Sequence, residues 1–204
     1  AGERGGQWHV GERGAGVTGF GWRREADVMQ LGFYFDVTRC TGCQACEIAC
    51  KAEHRLEPRA EARPGSTGPR WRQVIELEAG DVVAYVSLSC LHCGHPECVD
   101  ACPTGAISKE TATGIVRVDS ERCIGCRYCS WACPFGAPQF GADGLMQKCD
   151  FCSDRLAEGL EPACVEACTT KALRSGEVGE LEESARRRSG EHYVLAMTPM
   201  LTPR

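Results

Sequence analysis

The sequence contains no long apolar run and no excess of basic residues, and each absence excludes a class of function. Its longest apolar stretches, such as residues 82–86, are strand-length, whereas a membrane-spanning helix needs about 20 consecutive apolar residues. The formal net charge is -5, so the chain lacks the positive field on which nucleic-acid binding depends. We therefore expect neither a direct membrane span nor a nucleic-acid partner.

Export and catalytic motifs are missing as well. Arg23 and Arg24 could begin a twin-arginine signal, but Glu25 and Asp27 follow where an apolar segment should start. The sequence has no glycine-rich phosphate loop, no CxxxCxxC radical motif, and no set of His and carboxylate residues that can be placed as an open metal site. We expect a chain that has no signal peptide of its own and does not turn over a substrate by itself.

Cysteine is the residue that the sequence has in abundance. Sixteen of the 204 residues are cysteine, far above ordinary usage, and they form an internal repeat of four runs. In chain order, the runs are Cys40, Cys43, Cys46 and Cys50; Cys90, Cys93, Cys98 and Cys102; Cys123, Cys126, Cys129 and Cys133; and Cys149, Cys152, Cys164 and Cys168.

The spacing inside the runs predicts iron-sulfur clusters. The first and third runs follow the bacterial ferredoxin pattern of gaps of two, two and three residues, and all four runs share the final gap of three. Three thiolates on a tight loop can hold three irons of one cubane, while the fourth cysteine lies about one helical turn onward and points to a neighbouring cubane. Gly42 and Gly125 suit such loops because glycine accepts a positive φ. Four [4Fe-4S] clusters, held in pairs, are therefore expected.

Disulfides and zinc are the two other uses of cysteine that compete with this interpretation. In the first and third runs, a third thiol lies three residues beyond a CxxC pair, and it would be strained or redundant in a disulfide framework. A zinc ribbon uses two CxxC pairs for one metal ion, which would leave the third and fourth cysteines of each run without a role. The spacing favours iron-sulfur clusters over both alternatives.

The ends of the runs indicate which of them pair. The second and third runs end in Cys-Pro, at Pro103 and Pro134, whereas the first and fourth do not. Pairing like with like predicts four ligand sets, each with three cysteines of one run and the last cysteine of its partner; the rival pairing joins sequential runs. The sets are Cys90, Cys93, Cys98 and Cys133; Cys123, Cys126, Cys129 and Cys102; Cys40, Cys43, Cys46 and Cys168; and Cys149, Cys152, Cys164 and Cys50.

This pairing predicts a loop-rich α+β fold of two ferredoxin-like units, one inserted in the other. Short strands are expected at 31–37, 84–88 and 115–118, and short helices at 97–101, 128–132 and 161–167. The predicted segments are a disordered N-terminal extension (1–30), an outer ferredoxin unit (31–55 with 143–177), an insertion loop (56–83), an inner ferredoxin unit (84–142) and a C-terminal tail (178–204). Met29 is a possible start of the chain.

Four stretches carry a resemblance to a known family. They are CTGCQACEIACK, SCLHCGHPECVDACPTGAI, CIGCRYCSWACPFGAPQ and KCDFCSDRLAEGLEPACVEAC. The chain, over about residues 31–177, resembles the electron-transfer B subunit of dimethyl sulfoxide reductase, an enzyme of anaerobic respiration. Some relatives, of the nitrate reductase type, have Trp at the second position of the third run and hold a 3Fe-4S cluster there. This position is Cys126 here, so the resemblance implies a full 4Fe-4S cluster.

The resemblance also implies partners. In that family the B subunit lies between a molybdopterin catalytic subunit and a membrane anchor that handles quinol, which implies association with a membrane through partners, on a side that the sequence does not indicate. The unit with the first and fourth runs faces the catalytic subunit, and the unit with the second and third runs faces the anchor. A free-standing polyferredoxin shuttle is the alternative.

Residues between and beside the cysteines carry weaker expectations. His92 and His95 could bind a cluster sulfur by a hydrogen bond, but a solvated loop histidine is the preferred interpretation. Trp131 is expected to pack as a core aromatic. Four basic residues flank the third and fourth runs and could offset cluster charge, although most such side chains are simply solvated. They are Arg122, Arg127, Lys148 and Arg155.

Overall fold

The computed structural model describes residues 29–56, 68–188 and 195–196, and the fold there is α+β. The strands are β1 (Leu31–Phe35), β2 (Arg72–Ala79), β3 (Val82–Ser89), β4 (Ile107–Lys109), β5 (Val116–Val118), β6 (Gln139–Phe140), β7 (Met146–Gln147), β8 (Leu173–Glu177) and β9 (Leu195–Ala196). The helices are α1 (Ala45–Glu53), α2 (Glu97–Asp100), α3 (Tyr128–Ala132), α4 (Ser153–Ala157), α5 (Ala163–Glu166) and α6 (Val178–Arg188), with a 3-10 turn at Val37–Arg39. In these ranges, none of the helices is long and apolar enough to cross a membrane.

The strands form antiparallel pairs rather than one large sheet. β1 lies between β8 and β9, and its residues Phe33, Tyr34 and Phe35 are buried. β2 and β3, with eight residues each, form a long hairpin, while β4 with β5 and β6 with β7 form two shorter ones. Two-stranded hairpins are marginally stable alone, so packing around the cysteine runs must contribute much of the stability.

An antiparallel strand pair with two helices that pack on each other, a helix-strand-strand-helix arrangement, occurs twice. In the first copy, β4 pairs with β5 so that Ile107 lies opposite Val118, and α2 packs against α3. In the second copy, β8 pairs with β1 so that Leu173 lies opposite Phe35, and α5 packs against α1. The first copy is continuous in sequence, whereas the second combines segments that lie far apart in the chain.

Two apolar clusters contain or contact ten of the sixteen cysteines. The larger contains ten buried residues, which are Phe33, Phe35, Cys90, Ile115, Cys149, Phe151, Cys164, Val165, Ala172 and Leu173. The smaller contains Ile107, Val116, Cys129 and Met146. Cysteines of the second and fourth runs thus lie in one apolar core. The two helix-strand-strand-helix copies are therefore in contact.

Several predicted elements are confirmed, and some predictions are wrong. The strand expected at 31–37 is β1, and the helices expected at 97–101, 128–132 and 161–167 appear as α2, α3 and α5. The segment 56–83, predicted as a loop, instead contains β2 and the start of β3, although residues 57–67 lie outside the described part. The tail predicted at 178–204 begins with helix α6, and β9 pairs with β1.

The predicted N-terminal extension needs one correction. Residues 1–28 lie outside the described residues, but Gln30 is held in place. Its side-chain amide donates to the backbone carbonyls of Leu31 at 2.8 Å and His92 at 3.2 Å. The backbone carbonyl of Gln30 accepts from the N–H of Val178. Gln30 therefore belongs to the folded part and links the two copies of the repeat.

Candidate iron-sulfur centres

The sixteen cysteines are all free thiols. Each lies in the described part of the chain, so the disulfide framework considered as an alternative is not formed. Because thiols collected in one place without disulfides are typical of metal sites, the question is which of them lie together.

A cavity lies beside the third run. Its lining includes Cys123, Cys126 and Cys129 of that run together with Cys102, the last cysteine of the second run. Backbone N–H groups point at its sulfurs, since Ala106 donates to Cys102 Sγ at 3.2 Å. Burial acts to raise the pKa of Cys102, but hydrogen bonds from the Thr104 hydroxyl and nearby backbone N–H groups outweigh it and lower that pKa. A lowered pKa favours the thiolate that a metal needs.

A second group contains the other cysteines of the second run and the last cysteine of the third. Burial raises the pKa of Cys98 to about 12, and the neighbouring thiols of Cys90, Cys133 and Cys93 add to the rise. Cys93, whose pKa burial raises to about 11, has the same neighbours Cys90 and Cys133. So many thiolates could not be buried together without a positive partner, and these residues would hold iron ions that supply that charge.

The first and fourth runs meet in the same way. Cys40 lies near Cys168, and Cys46 lies near both Cys164 and Cys168. Burial raises the pKa of Cys50 to about 12, with Cys164 and Cys152 as its neighbours. In these two groups, as in the previous two, the last cysteine of one run has thiols of another run as neighbours.

The fourth run also touches the second. Burial raises the pKa of Cys149 well above its ordinary value, and Arg72 opposes that rise while the thiols of Cys90, Cys164 and Cys50 add to it. Cys90 of the second run and Cys149 of the fourth also lie in the same apolar cluster, so these two groups are neighbours. By their neighbours, the groups follow one another in the order first, fourth, second and third run, and we call this order the row.

All four runs share one backbone feature. The residue before the second cysteine has a positive φ in each: 70° at Gly42, 47° at His92, 67° at Gly125 and 65° at Phe151. A left-handed conformation costs about 1–2 kcal/mol for a residue with a Cβ, so surrounding contacts must hold His92 and Phe151. The sequence indicated this turn only at the two glycines, and the structure extends it to all four runs.

Buried basic groups test whether the sites fit an anionic cluster. Arg72 is 1 % exposed and Lys148 3 % exposed, and neither forms an ion pair with a carboxylate of the described residues. Burial alone would lower the pKa of Arg72, but the thiols of the first and fourth runs raise it overall. A cubane with four thiolates carries about two negative charges when oxidised. Such a cluster would supply the missing anion, so the residues fit [4Fe-4S] clusters.

The four basic residues singled out from the sequence have different surroundings. Lys148 is buried and donates to the carbonyls of Val116 and Cys149. Arg122 donates to the Thr104 carbonyl, and Arg127 lies 4.4 Å over the ring of Phe140. Arg155 pairs with Glu53 and Glu166. Of these four, Lys148 is the buried charge that no carboxylate of the described residues pairs with.

Two expectations about single residues are wrong. His92 is fully buried rather than solvated, because its Nδ1 accepts from the N–H of Val116 at 2.9 Å and its ring packs edge-on against Phe151. Its burial lowers its pKa well below the usual value. Trp131 is 87 % exposed and is therefore not a core aromatic. His95 is exposed, as expected for a loop histidine, and lies 3.5 Å from Glu97.

The sequence also gave no indication of two contacts to cysteine sulfur. His54, at the end of α1, places Nε2 3.3 Å from Cys152 Sγ and 3.6 Å from Asp150 Oδ1. Ser87 places Oγ 3.5 Å from Cys46 Sγ. Both come from residues 41 or more positions away in sequence, so spacing within the runs carries no signal for them.

Comparison with known proteins agrees with the thiol geometry. Two family models, each described as a 4Fe-4S dicluster domain, match residues 82–178 and 39–106. Two dicluster domains imply four [4Fe-4S] clusters, the number that the sixteen cysteines predict. The zinc alternative is not supported.

Curated relatives extend over most of the chain. The probable anaerobic dimethyl sulfoxide reductase subunit YnfG of Escherichia coli is 46% identical over 158 residues, which is 76% of this chain and 77% of that protein. The B subunit of anaerobic dimethyl sulfoxide reductase from the same organism is 44% identical over 174 residues, 83% of this chain and 82% of that protein. The formate dehydrogenase iron-sulfur subunit of Wolinella succinogenes is 39% identical over 173 residues, covering 72% and 82%. The chain thus belongs to the family of iron-sulfur electron-transfer subunits, the B subunits, of dimethyl sulfoxide reductase-type oxidoreductases.

Proposed function

We propose that this chain connects a molybdopterin catalytic subunit to a membrane anchor that exchanges electrons with quinol. The row of four thiol groups is the observation that carries the proposal. A row has two ends, and it serves electron transfer when a donor contacts one end and an acceptor the other. When bound, each [4Fe-4S] cluster can take up and release one electron.

The ligand sets follow the interleaved pattern. Cys40, Cys43 and Cys46 would share a cluster with Cys168, and Cys149, Cys152 and Cys164 one with Cys50. Cys90, Cys93 and Cys98 would share the next with Cys133, and Cys123, Cys126 and Cys129 the last with Cys102. The thiol neighbours described above support these sets, as does the cavity lined by Cys102 and the third run.

The two copies of the helix-strand-strand-helix arrangement support a nested organisation. The inner unit would comprise residues 84–142, which contain α2, β4, β5 and α3. The outer unit would comprise 31–55 with 143–177, which contain β1, α1, α5 and β8. The pairing of β1 with β8 and the packing of α1 on α5 favour one outer unit made of distant segments.

The surface around the third run is rich in exposed apolar residues. Around the third run, large apolar side chains are exposed, namely Ile124, Tyr128, Trp131 and Phe135. Exposed apolar residues that lie close together are typical of contact sites. We assign the membrane anchor to this end, and the catalytic subunit to the end with the first and fourth runs. Association with the membrane would then come through the anchor.

Trp131 provides the test of this assignment. It is 87 % exposed, so Trp131→Ala should leave the fold intact, while loss of a central interface tryptophan weakens binding by about 2 kcal/mol or more. When the complex is reassembled from separate subunits at a limiting concentration of the anchor, quinol-driven turnover should fall roughly 30-fold. A dye that reduces the catalytic subunit directly should give unchanged turnover. Val82→Thr, at another exposed apolar residue, is the matched control.

Two results would contradict the proposal. Equal loss of quinol-driven and dye-driven turnover would place Trp131 at the catalytic subunit or in the fold. A chain that purifies alone and exchanges electrons at full rate without a large partner would favour the polyferredoxin shuttle.

A further inference from the structure

Arg72, the first residue of β2, is held in place by neutral groups. Its Nη1 donates to Ser87 Oγ at 3.1 Å and its Nη2 to Ser89 Oγ at 2.9 Å. Its Cζ lies 4.5 Å from the centre of the Phe33 ring, and its Nε is buried without a hydrogen-bond partner among the described residues. These contacts fix the guanidinium group in space, but none of them neutralises its charge.

A buried arginine requires negative charge close by. The guanidinium group keeps its proton in proteins, and an uncompensated buried charge is strongly destabilising. No carboxylate in the described ranges pairs with Arg72. The charged groups that act on it most strongly are cysteine sulfurs, those of Cys164, Cys149, Cys46 and Cys50.

These sulfurs belong to two of the proposed ligand sets. Cys50, Cys149 and Cys164 are in one set, and Cys46 is in the set of the first run. Phe33, over which the guanidinium lies, belongs to the same apolar cluster as Cys149 and Cys164. Arg72 is therefore next to the proposed site of the fourth run.

Ser87 extends the contact to the first run. Its Oγ accepts a hydrogen bond from Arg72 and lies 3.5 Å from Cys46 Sγ. Because Oγ already accepts from the guanidinium, its own hydrogen is free to point at the sulfur. A donor hydroxyl polarised by a cation stabilises added negative charge on that sulfur.

We propose that Arg72 is a fixed internal positive charge that raises the reduction potentials of both outer-unit clusters, most strongly that of the cluster on Cys50, Cys149, Cys152 and Cys164. The inference rests on the ligand sets of the proposed function. Reduction adds one negative charge to a cluster, and a nearby cation stabilises the reduced form more than the oxidised form. Arg72 thereby favours the reduced state of the outer-unit clusters.

Arg72→Gln and Arg72→Lys in the intact complex test the proposal. Each variant is titrated anaerobically against solution potential while the magnetic resonance signals of the reduced clusters are recorded, and iron per chain is measured. At the potential that half-reduces the fourth-run cluster of the unaltered protein, Arg72→Gln should lower the ratio of reduced to oxidised cluster at least about tenfold, or about 60 mV. Arg72→Lys, which keeps the charge, should restore most of it.

Two controls test whether the shift in potential is specific to the outer-unit clusters and to Arg72. The cluster on Cys102, Cys123, Cys126 and Cys129 should keep its potential in both variants. Arg117→Gln removes the same charge from an exposed side chain that pairs with Glu110 at 3.5 Å, and it should shift none of the clusters.

Ser89→Asp keeps the test decisive if Arg72→Gln loses iron. The new carboxylate would lie at Nη2 and neutralise the arginine in place, so the same downward shift is expected with Arg72 present. Full iron content with unchanged potentials in Arg72→Gln or Ser89→Asp would overturn the proposal. So would an equal shift in Arg72→Lys, because hydrogen bonding rather than charge would then be responsible. Absence of the two outer clusters from the unaltered protein would refute the ligand sets, and this inference with them.

Discussion

Gly42→Ala should loosen the contact between the first cysteine run and the β2–β3 hairpin. Gly42 has a φ of +70°, and a Cβ added there would lie 2.6 Å from Cδ1 and Cε1 of Tyr85. Two costs follow: about 1–2 kcal/mol for a non-glycine residue in the left-handed conformation, and about 1–3 kcal/mol for the displacement of the Tyr85 ring. Together they are a large fraction of the stability of a small protein.

A matched glycine separates the two costs. Gly159 has a φ of +76°, but a Cβ there meets nothing within 4 Å, so Gly159→Ala should show only the conformational cost. Because cofactor proteins often unfold irreversibly, the assay is the rate of loss of iron-sulfur absorbance in a fixed concentration of denaturant without oxygen. The rate should increase roughly 5- to 150-fold more for Gly42→Ala than for Gly159→Ala, as expected for an additional 1–3 kcal/mol.

A double-mutant cycle decides whether Tyr85 is the cause. Tyr85→Ala removes the ring that a Cβ at position 42 would strike, so Gly42→Ala should cost less in that background by about 1–3 kcal/mol. If Gly42→Ala is equally harmful with and without the Tyr85 ring, or no worse than Gly159→Ala, the reasoning about close approach is refuted.

Two further predictions concern the cluster ligands. Cys102→Ser should alter the magnetic signature of the cluster on Cys123, Cys126 and Cys129 and leave that of the Cys40 cluster unchanged; the reverse result would support sequential pairing of the runs. Removal of iron by a chelator should leave the chain largely unfolded, because ligation supplies folding free energy in small metal domains, and a native-like circular dichroism spectrum of the iron-free chain would contradict this.

The cysteine runs could be interpreted from the sequence because their information is local. Gaps of two or three residues, which separate most of the cysteines within a run, let their sulfurs reach one cubane, so the spacing predicts the cofactor. The family came from the resemblance of the four longer stretches, and spacing alone does not give it. Helices α2 and α3 were predictable for the same reason, since each lies within a run. The α+β class followed from these elements and the short apolar segments between them.

The β2–β3 hairpin has a recognisable pattern in the sequence. Ile75, Glu76, Leu77 and Glu78 alternate with period two and precede Gly80 and Asp81, a pattern typical of a hairpin. The surrounding proline, glycine and charge favoured a loop instead. In the structure, residues 72–89 pair along their whole length, so the alternation was the stronger signal.

The environments of Arg72, His92 and Trp131 could not be predicted from local sequence. Arg72 is buried because Ser87, Ser89 and Phe33 surround it, and these come from other strands. His92 is buried by Val116 and by Phe151, which lies in the fourth cysteine run, about sixty residues further along the chain. Trp131 is exposed because α3 turns its side chain away from both apolar clusters. Each outcome depends on which distant segments meet, which spacing within a run does not encode.

The most direct test of a four-cluster electron-transfer subunit is the content of iron and acid-labile sulfide in the protein purified without oxygen. Four [4Fe-4S] clusters correspond to about sixteen irons and about sixteen sulfides per chain. We predict both values, together with a loss of close to four of each when any one ligand set is removed. Tightly held zinc without sulfide, or about eight irons per chain at full occupancy, would contradict the account.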